Sequence, residues 1–118
     1  MTPWIILSDA AQIDELVQRS YQTPCLIFKH STRCSISRAA QNRLEQKWNF
    51  AAEELSPYYL DLLQYRPLSN QIAEQFDVRH ESPQVLLIVN GKCVYDNSHN
   101  AISVADIADA LVTNPIEA

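Results

Sequence analysis

Apolar residues along this chain change their spacing several times, and each change marks an element. After Ser8-Asp9, which can cap a helix, Ile13, Leu16, Val17 and Tyr21 recur at helical intervals until Thr23-Pro24 ends the pattern. Cys25-Leu26-Ile27-Phe28 is then a short unbroken apolar run, which predicts a strand covered on both faces. His30-Ser31-Thr32-Arg33 reads as a polar turn. Beyond it Ile36, Ala39, Ala40, Leu44 and Trp48 predict the buried stripe of a second helix. Pro57 to Asp61 reads as another strand, and Pro67 opens a helix carrying Leu68, Ile72 and Phe76 four apart. Gln84 to Val89, the turn Asn90-Gly91 and Lys92 to Asp96 predict a β-hairpin. Ser103, with Asp106 three places on, caps a last helix that turns Val104, Ile107, Ala108 and Leu111 inward.

The order is helix, strand, helix, strand, helix, hairpin, helix. Two strands joined through a helix imply a right-handed parallel β-α-β unit. A further helix and an antiparallel hairpin complete a mixed four-stranded sheet with helices on both faces. That α/β arrangement is the thioredoxin-like plan. The chain has 118 residues, enough for one core, and no linker, repeat or low-complexity tract divides it. A single thioredoxin-like domain over residues 1–118 is therefore expected.

Composition narrows the chemistry. Hydrophobic residues make up 47% and charged residues 19%, the balance of a folded domain and not of a disordered tail. A net charge of −5 argues against a nucleic-acid surface. No apolar run is long enough to cross a bilayer, and Met1 to Leu7 lacks the features of a signal peptide, so no membrane partner and a cytoplasmic location are expected. The chain has 1 glycine, which rules out the Gly-rich loops that cradle phosphates. Its 3 cysteines include no C-x-x-C pair and stand beside only 3 histidines, so neither a disulfide framework nor a metal site is expected. Any cysteine of interest must be interesting for its reactivity.

Cys34 meets that condition. It falls where the second helix begins, and a helix N-terminus favours thiolate over thiol. Lys29, His30, Arg33 and Arg38 lie nearby in sequence and would add positive charge. The plainer alternative is a helix cap among solvated basic residues. Three places on is Ser37, where a dithiol oxidoreductase would carry its resolving thiol. Serine cannot resolve a mixed disulfide, although its hydroxyl could bond to the thiolate or to nearby backbone. The chemistry this permits is monothiol exchange, in which an external thiol removes what Cys34 has taken up. Cys25, in a core strand, reads as inert. Cys93 reads as structural, or as an internal resolving thiol if its edge is exposed. Ser82-Pro83 precedes the hairpin where a thioredoxin-like fold carries a cis proline opposite the active cysteine. Ser98-His99-Asn100 would lie near the same face, either as a plain connection or as part of a thiol site, with the helix start at Ser103 as a carboxylate binder. Trp4 and Trp48 read as core or rim aromatics.

Several segments together resemble the YtxJ family of monothiol bacilliredoxins. They are Lys29-His30-Ser31-Thr32, Cys34 with Ile36-Ser37, Tyr58-Tyr59-Leu60-Asp61, Arg66-Pro67-Leu68-Ser69-Asn70 and His80-Glu81-Ser82-Pro83-Gln84. The resemblance runs from the first helix to the last. It implies a thioredoxin-like fold and removal of bacillithiol from S-thiolated cytoplasmic proteins, with bacillithiol as co-substrate and no tightly bound cofactor. By position it makes Cys34 the attacking thiol, Ser37 its non-resolving partner and Pro83 the cis proline. Lys29, Arg33, Arg38, Ser82, Ser98 and His99 would serve thiol or substrate binding, and a monomer is the fold's usual habit. The family usually has Cys-Pro-Ile-Ser where this chain has Cys34-Ser35-Ile36-Ser37, a change expected to keep the helix and retune reactivity. The rival reading from another class is a thioredoxin-fold binding or stress-response module without turnover. An iron–sulfur carrier of the monothiol glutaredoxin kind would need a C-G-F-S site and a Gly-rich loop, and this chain has neither.

Overall fold

Alternation along the strands decides the architecture. The computed structural model describes residues 2–117. Its elements are β1 (Ile5–Ile6), α1 (Ala11–Arg19), β2 (Cys25–His30), α2 (Ser35–Lys47), β3 (Ser56–Asp61), α3 (Arg66–Gln75), β4 (Gln84–Val89), β5 (Lys92–Ser98), a 3-10 turn at His99–Ala101 and α4 (Val104–Thr113). The strands form one sheet in the order β1-β3-β2-β4-β5. β1 and β2 run parallel to β3, while β4 runs antiparallel to both β2 and β5. The architecture is thioredoxin-like, with five strands where the sequence pattern led us to expect four. The extra strand is Ile5-Ile6, whose partners Tyr58 and Tyr59 lie on β3. Two residues are too short a run to show a period, so nothing local marked them.

Each sheet face carries its own core. Cys25 and Ile27 of β2, with Leu86 and Ile88 of β4, pack against Ile13 and Leu16 of α1 and Leu68, Ile72 and Phe76 of α3. Leu26 and Phe28, with Val85, Leu87 and Val89, pack against Ala40 and Leu44 of α2 and Ile107 and Ala110 of α4. β2 supplies both cores because all six of its residues are buried. A strand with both faces covered needs no polar alternation, which is why its sequence begins as a continuous apolar run. Phe28 stacks on Trp4 at 5.6 Å between ring centroids, and Trp4 in turn meets Trp48 and Tyr59.

Three expectations change. β2 continues past its apolar run through Lys29 and His30, both buried, so His30 is a strand residue and not part of the polar turn. The inward stripe of α2 is Ser37, Ala40 and Leu44, whereas Ile36 is 52% exposed. A polar residue belongs to that stripe because β2 places a polar partner opposite it, as described below. Tyr21 lies beyond the end of α1, half exposed, with its hydroxyl over Gly91.

The hairpin turn explains the one glycine. Asn90 and Gly91 have φ of 51° and 77°, the left-handed pair that a tight hairpin turn requires. Their N–H groups donate to the Ser20 carbonyl and hydroxyl, both at 2.9 Å, which ties the turn to the end of α1. Opposite Leu87 and Ile88 of β4 the register of β5 slips by one residue, Val94, so Val94 and Tyr95 both turn toward the α2/α4 core. Ser103 caps α4 as its spacing suggests, its hydroxyl accepting from the Asp106 N–H at 3.2 Å. No helix among the described residues is long and apolar enough to cross a membrane.

Phe28→Ala should destabilise the fold by about 3–5 kcal/mol through lost burial and the cavity left behind. Val112→Ala, at an 83% exposed position, should stay within about 0.5 kcal/mol. Urea unfolding of the two variants checks both.

Candidate active site around Cys34

Cys34 is the N-cap of α2, on extended backbone with φ −105° and ψ 123°. Its carbonyl accepts the Arg38 N–H at 3.0 Å, which starts the helix. No side chain caps this end, so the first-turn N–H groups lie beside the sulfur without a side-chain acceptor. The thiol is partly exposed, and exposed Arg33 and Arg38 flank it. Ile36 adds an exposed apolar side chain on the outer side of the first turn.

Of the four basic residues near Cys34 in sequence, only these two arginines share its surface. Lys29 and His30 are consecutive on a strand and therefore face opposite ways. Lys29 points into the α1/α3 side and is fully buried. Its ammonium donates to the Ser69 carbonyl at 3.2 Å and to His80 Nδ1 at 3.4 Å. Burial, with the charge of Arg66 nearby, pulls its pKa from 10.5 down to about 8. Burial and the cations Lys29 and Arg66 likewise hold His80 below the ordinary histidine range, against a smaller opposing pull from Glu81. Lys29 thus fastens α3 to the segment leading into Pro83, and its place in a binding surface around Cys34 is corrected.

His30 faces the α2 side. Its Nδ1 lies 2.6 Å from Ser37 Oγ, and the same oxygen accepts the Ser31 N–H at 3.0 Å. Ser37 is fully buried, and its hydroxyl makes no hydrogen bond to Cys34 in this structure. The expected choice between thiolate and backbone is therefore resolved toward the Ser31 backbone, with His30 as a partner that sequence spacing did not suggest.

The other two cysteines lie on strands, away from any helix start. Cys25 is buried, and that burial pushes its pKa up to about 12. Burial also pushes Cys93 up to about 11, with the Asp96 charge adding to the rise. The register places Cys25 opposite Ile88 and Ile88 opposite Cys93, so both thiols stand at the start of β2. Cys34 lies beyond its other end, about 16 Å of strand away. A disulfide needs Cα atoms within about 7 Å. Cys93 is therefore not an internal resolving thiol for Cys34 in this fold.

The loop before β4 stands at the Cys34 end of the sheet, because Gln84 pairs with Lys29. The Ser82–Pro83 peptide is cis. The Pro83 carbonyl accepts the His99 N–H at 3.0 Å, and among the described residues no hydrogen bond engages the Ser82 backbone. Ser98 pairs with Gln84, and His99 Nε2 lies 3.8 Å from a Glu81 carboxylate oxygen. Ser82, Pro83, Ser98 and His99 thus form one edge. Arg43 of α2 holds that edge in place by donating to the carbonyls of His99 at 2.9 Å and Ile102 at 3.2 Å. Arg43 gave no sequence signal, because its spacing is that of an ordinary outward helix residue. At the start of α4 the Ser103 hydroxyl accepts the Asp106 N–H. Among the described residues, no three His, Cys, Asp or Glu side chains gather to hold a metal ion.

Comparison with known proteins agrees with this geometry. The family model for the monothiol bacilliredoxin BrxC matches residues 5–107. A solved thioredoxin-fold protein proposed to be an oxidoreductase is 33% identical, with a TM-score of 0.77 over 90% of this chain and 91% of its own. Thioredoxin of Malassezia sympodialis is 15% identical with a TM-score of 0.70, covering 96% of this chain and 91% of its own. Fasciola hepatica thioredoxin is 17% identical with a TM-score of 0.67, covering 98% and 100%.

The Lys29 ammonium supplies a test of the site's underside. Between pH 8 and 10.5 the unfolded chain holds this proton more tightly than the folded one, so the group's contribution to stability improves as pH rises through that window. Relative to wild type, Lys29→Met should be best placed below pH 8 and lose up to about 3 kcal/mol of that standing by pH 10.5. Urea unfolding of both proteins across the window measures it. A difference independent of pH would contradict a buried ammonium.

Proposed function

Since the chain belongs to the monothiol bacilliredoxin family, we propose that it removes bacillithiol, or a similar small thiol, from S-thiolated proteins by exchange at Cys34. The observation that carries this reading is a partly exposed thiol at a helix start, out of reach of the other two cysteines. Cys34 sits at an uncapped helix start with serine in the resolving position, while buried Cys25 and half-buried Cys93 lie at the far end of the sheet. The redox role common to the family requires only a nucleophilic sulfur, and this chain offers one.

The reaction runs in two steps. The Cys34 thiolate attacks the small-thiol sulfur of the mixed disulfide, forming a new S–S bond while the protein cysteine leaves as a thiolate. A second small thiol, as thiolate, then attacks the adduct at the small-thiol sulfur. Cys34 is released as a thiolate and the two small thiols depart as their disulfide, carrying the oxidation away. Exposed Arg33 and Arg38 would hold carboxylates of the small thiol at the surface. The free backbone of Ser82 suits an extended substrate segment lying along the Pro83 edge, with Ser98 and His99 beside it. A reducing compartment such as the cytoplasm would keep all three thiols free, and a monomer suffices because every proposed group belongs to one chain.

Intact-mass analysis after incubation with bacillithiol disulfide, and separately with oxidised glutathione, tests the reading. The expected result is one adduct, on Cys34, formed faster from bacillithiol disulfide. Cys34→Ser should abolish exchange with an S-bacillithiolated protein, and Cys93→Ser should leave its rate unchanged. Slow, equal modification of all three cysteines would replace exchange with a binding role.

A further inference from the structure

The turn between β5 and α4 has no packing of its own. His99, Asn100 and Ala101 are all exposed, and no side chain of this 3-10 turn is buried. His99 also adopts φ 55°, a left-handed conformation that a residue with a Cβ seldom takes. Such a residue persists only where its surroundings hold it. Three contacts from outside the turn do so. The His99 N–H donates to the Pro83 carbonyl at 3.0 Å, its Nε2 lies 3.8 Å from a Glu81 carboxylate oxygen, and its carbonyl accepts from Arg43 Nη2 at 2.9 Å.

Of these contacts, the one from Arg43 reaches the helix that carries Cys34. Arg43 Nε also donates to the Ile102 carbonyl at 3.2 Å, so the planar guanidinium forks across the carbonyls at both ends of the turn. Ile102 is fully buried and anchors the far end. Among the described residues no carboxylate pairs with Arg43, so its donors serve the turn. The Glu81–His99 pair is open to solvent, and a surface pair of that kind holds weakly. At about 1.5 Å per residue, Arg43 stands about 13 Å along α2 from Cys34, too far to touch the reacting sulfurs.

We propose that Arg43 is a positioning residue for protein substrates: it registers the His99 turn, and through it the Pro83 edge, against the helix that carries Cys34. This rests on the exchange reading and adds to it a distinction between substrates. A small reagent needs only the sulfur. A protein segment lying along the Pro83 edge needs that edge and the sulfur in register, because attack on a disulfide tolerates little misplacement. Without the fork, His99 is free to leave its left-handed conformation, and its N–H to leave the Pro83 carbonyl. The edge then shifts relative to Cys34 while the surroundings of the sulfur stay as they are.

Two rates and one amide, measured in the full chain, are the experiment. In Arg43→Met, transfer of bacillithiol from an S-bacillithiolated protein to Cys34 should slow about tenfold, while alkylation of Cys34 by iodoacetamide stays within about twofold. Arg43→Lys keeps the charge and loses the fork, so it should lose most of the same transfer rate. Deuterium exchange at the His99 N–H should rise about tenfold in both variants, with the N–H groups of Ala40 and Leu44 in α2 as protected as in wild type. An equal fall in both rates would mean damage to the Cys34 site itself, and full transfer in Arg43→Lys would mean charge alone. Either overturns the positioning role. So would unchanged transfer in Arg43→Met, or a His99 N–H as protected as before. A wild-type protein that alkylates at Cys34 but accepts no bacillithiol would overturn the exchange reading, and this role with it.

Discussion

The burial of β2 along its whole length is the constraint on which the rest depends. A strand covered on both faces must hand successive side chains to opposite cores. Leu26 and Phe28 go to the α2/α4 core, and Cys25 and Ile27 to the α1/α3 core. The same rule then applies to Lys29 and His30, which are polar and still fully or nearly buried. A buried polar group must be satisfied or it destabilises the fold. Lys29 therefore requires the Ser69 carbonyl and His80, and His30 requires Ser37. These demands build the underside of the site on one face and the inner face of α2 on the other.

From that point the placement of Cys34 follows. Ser37 must face inward to meet His30, which fixes the rotation of the first turn of α2. With that turn fixed, Ile36 faces out and Cys34 takes the N-cap. Arg43, on the same helix, holds the carbonyls of His99 and Ile102, and the His99 N–H bonds the Pro83 carbonyl. The thiol and the Pro83 edge are in this way joined through one helix, so the surface available to a substrate is set by backbone contacts more than by loop sequence.

The periodic parts of this fold were legible in the sequence. The hairpin about Asn90-Gly91, the four-residue spacing of Leu68, Ile72 and Phe76, and the Ser103 cap each have a local physical cause. The place of Cys34 at the start of α2 was legible too, because the polar turn and the helical stripe that bracket it are local features. What failed depended on contacts distant in sequence. Ile36 fits a helical stripe by hydrophobicity, and only the His30 partner shows why Ser37 takes its place. Lys29 and His30 looked like one basic cluster with Arg33 and Arg38. Strand alternation would have separated them had β2 been extended past its apolar run. Arg43 and the Glu81–His99 pair became visible only once the loops were folded against each other.

The central claim is that Cys34 works alone and must be reset from outside the chain. Its most direct test is the fate of the isolated Cys34 adduct with a small thiol, after free thiol has been removed, followed by intact mass at neutral pH. The adduct should persist until thiol is added back and then be lost with return of the reduced protein. Spontaneous loss of the small thiol with formation of an internal disulfide, to Cys93 or Cys25, would contradict the account.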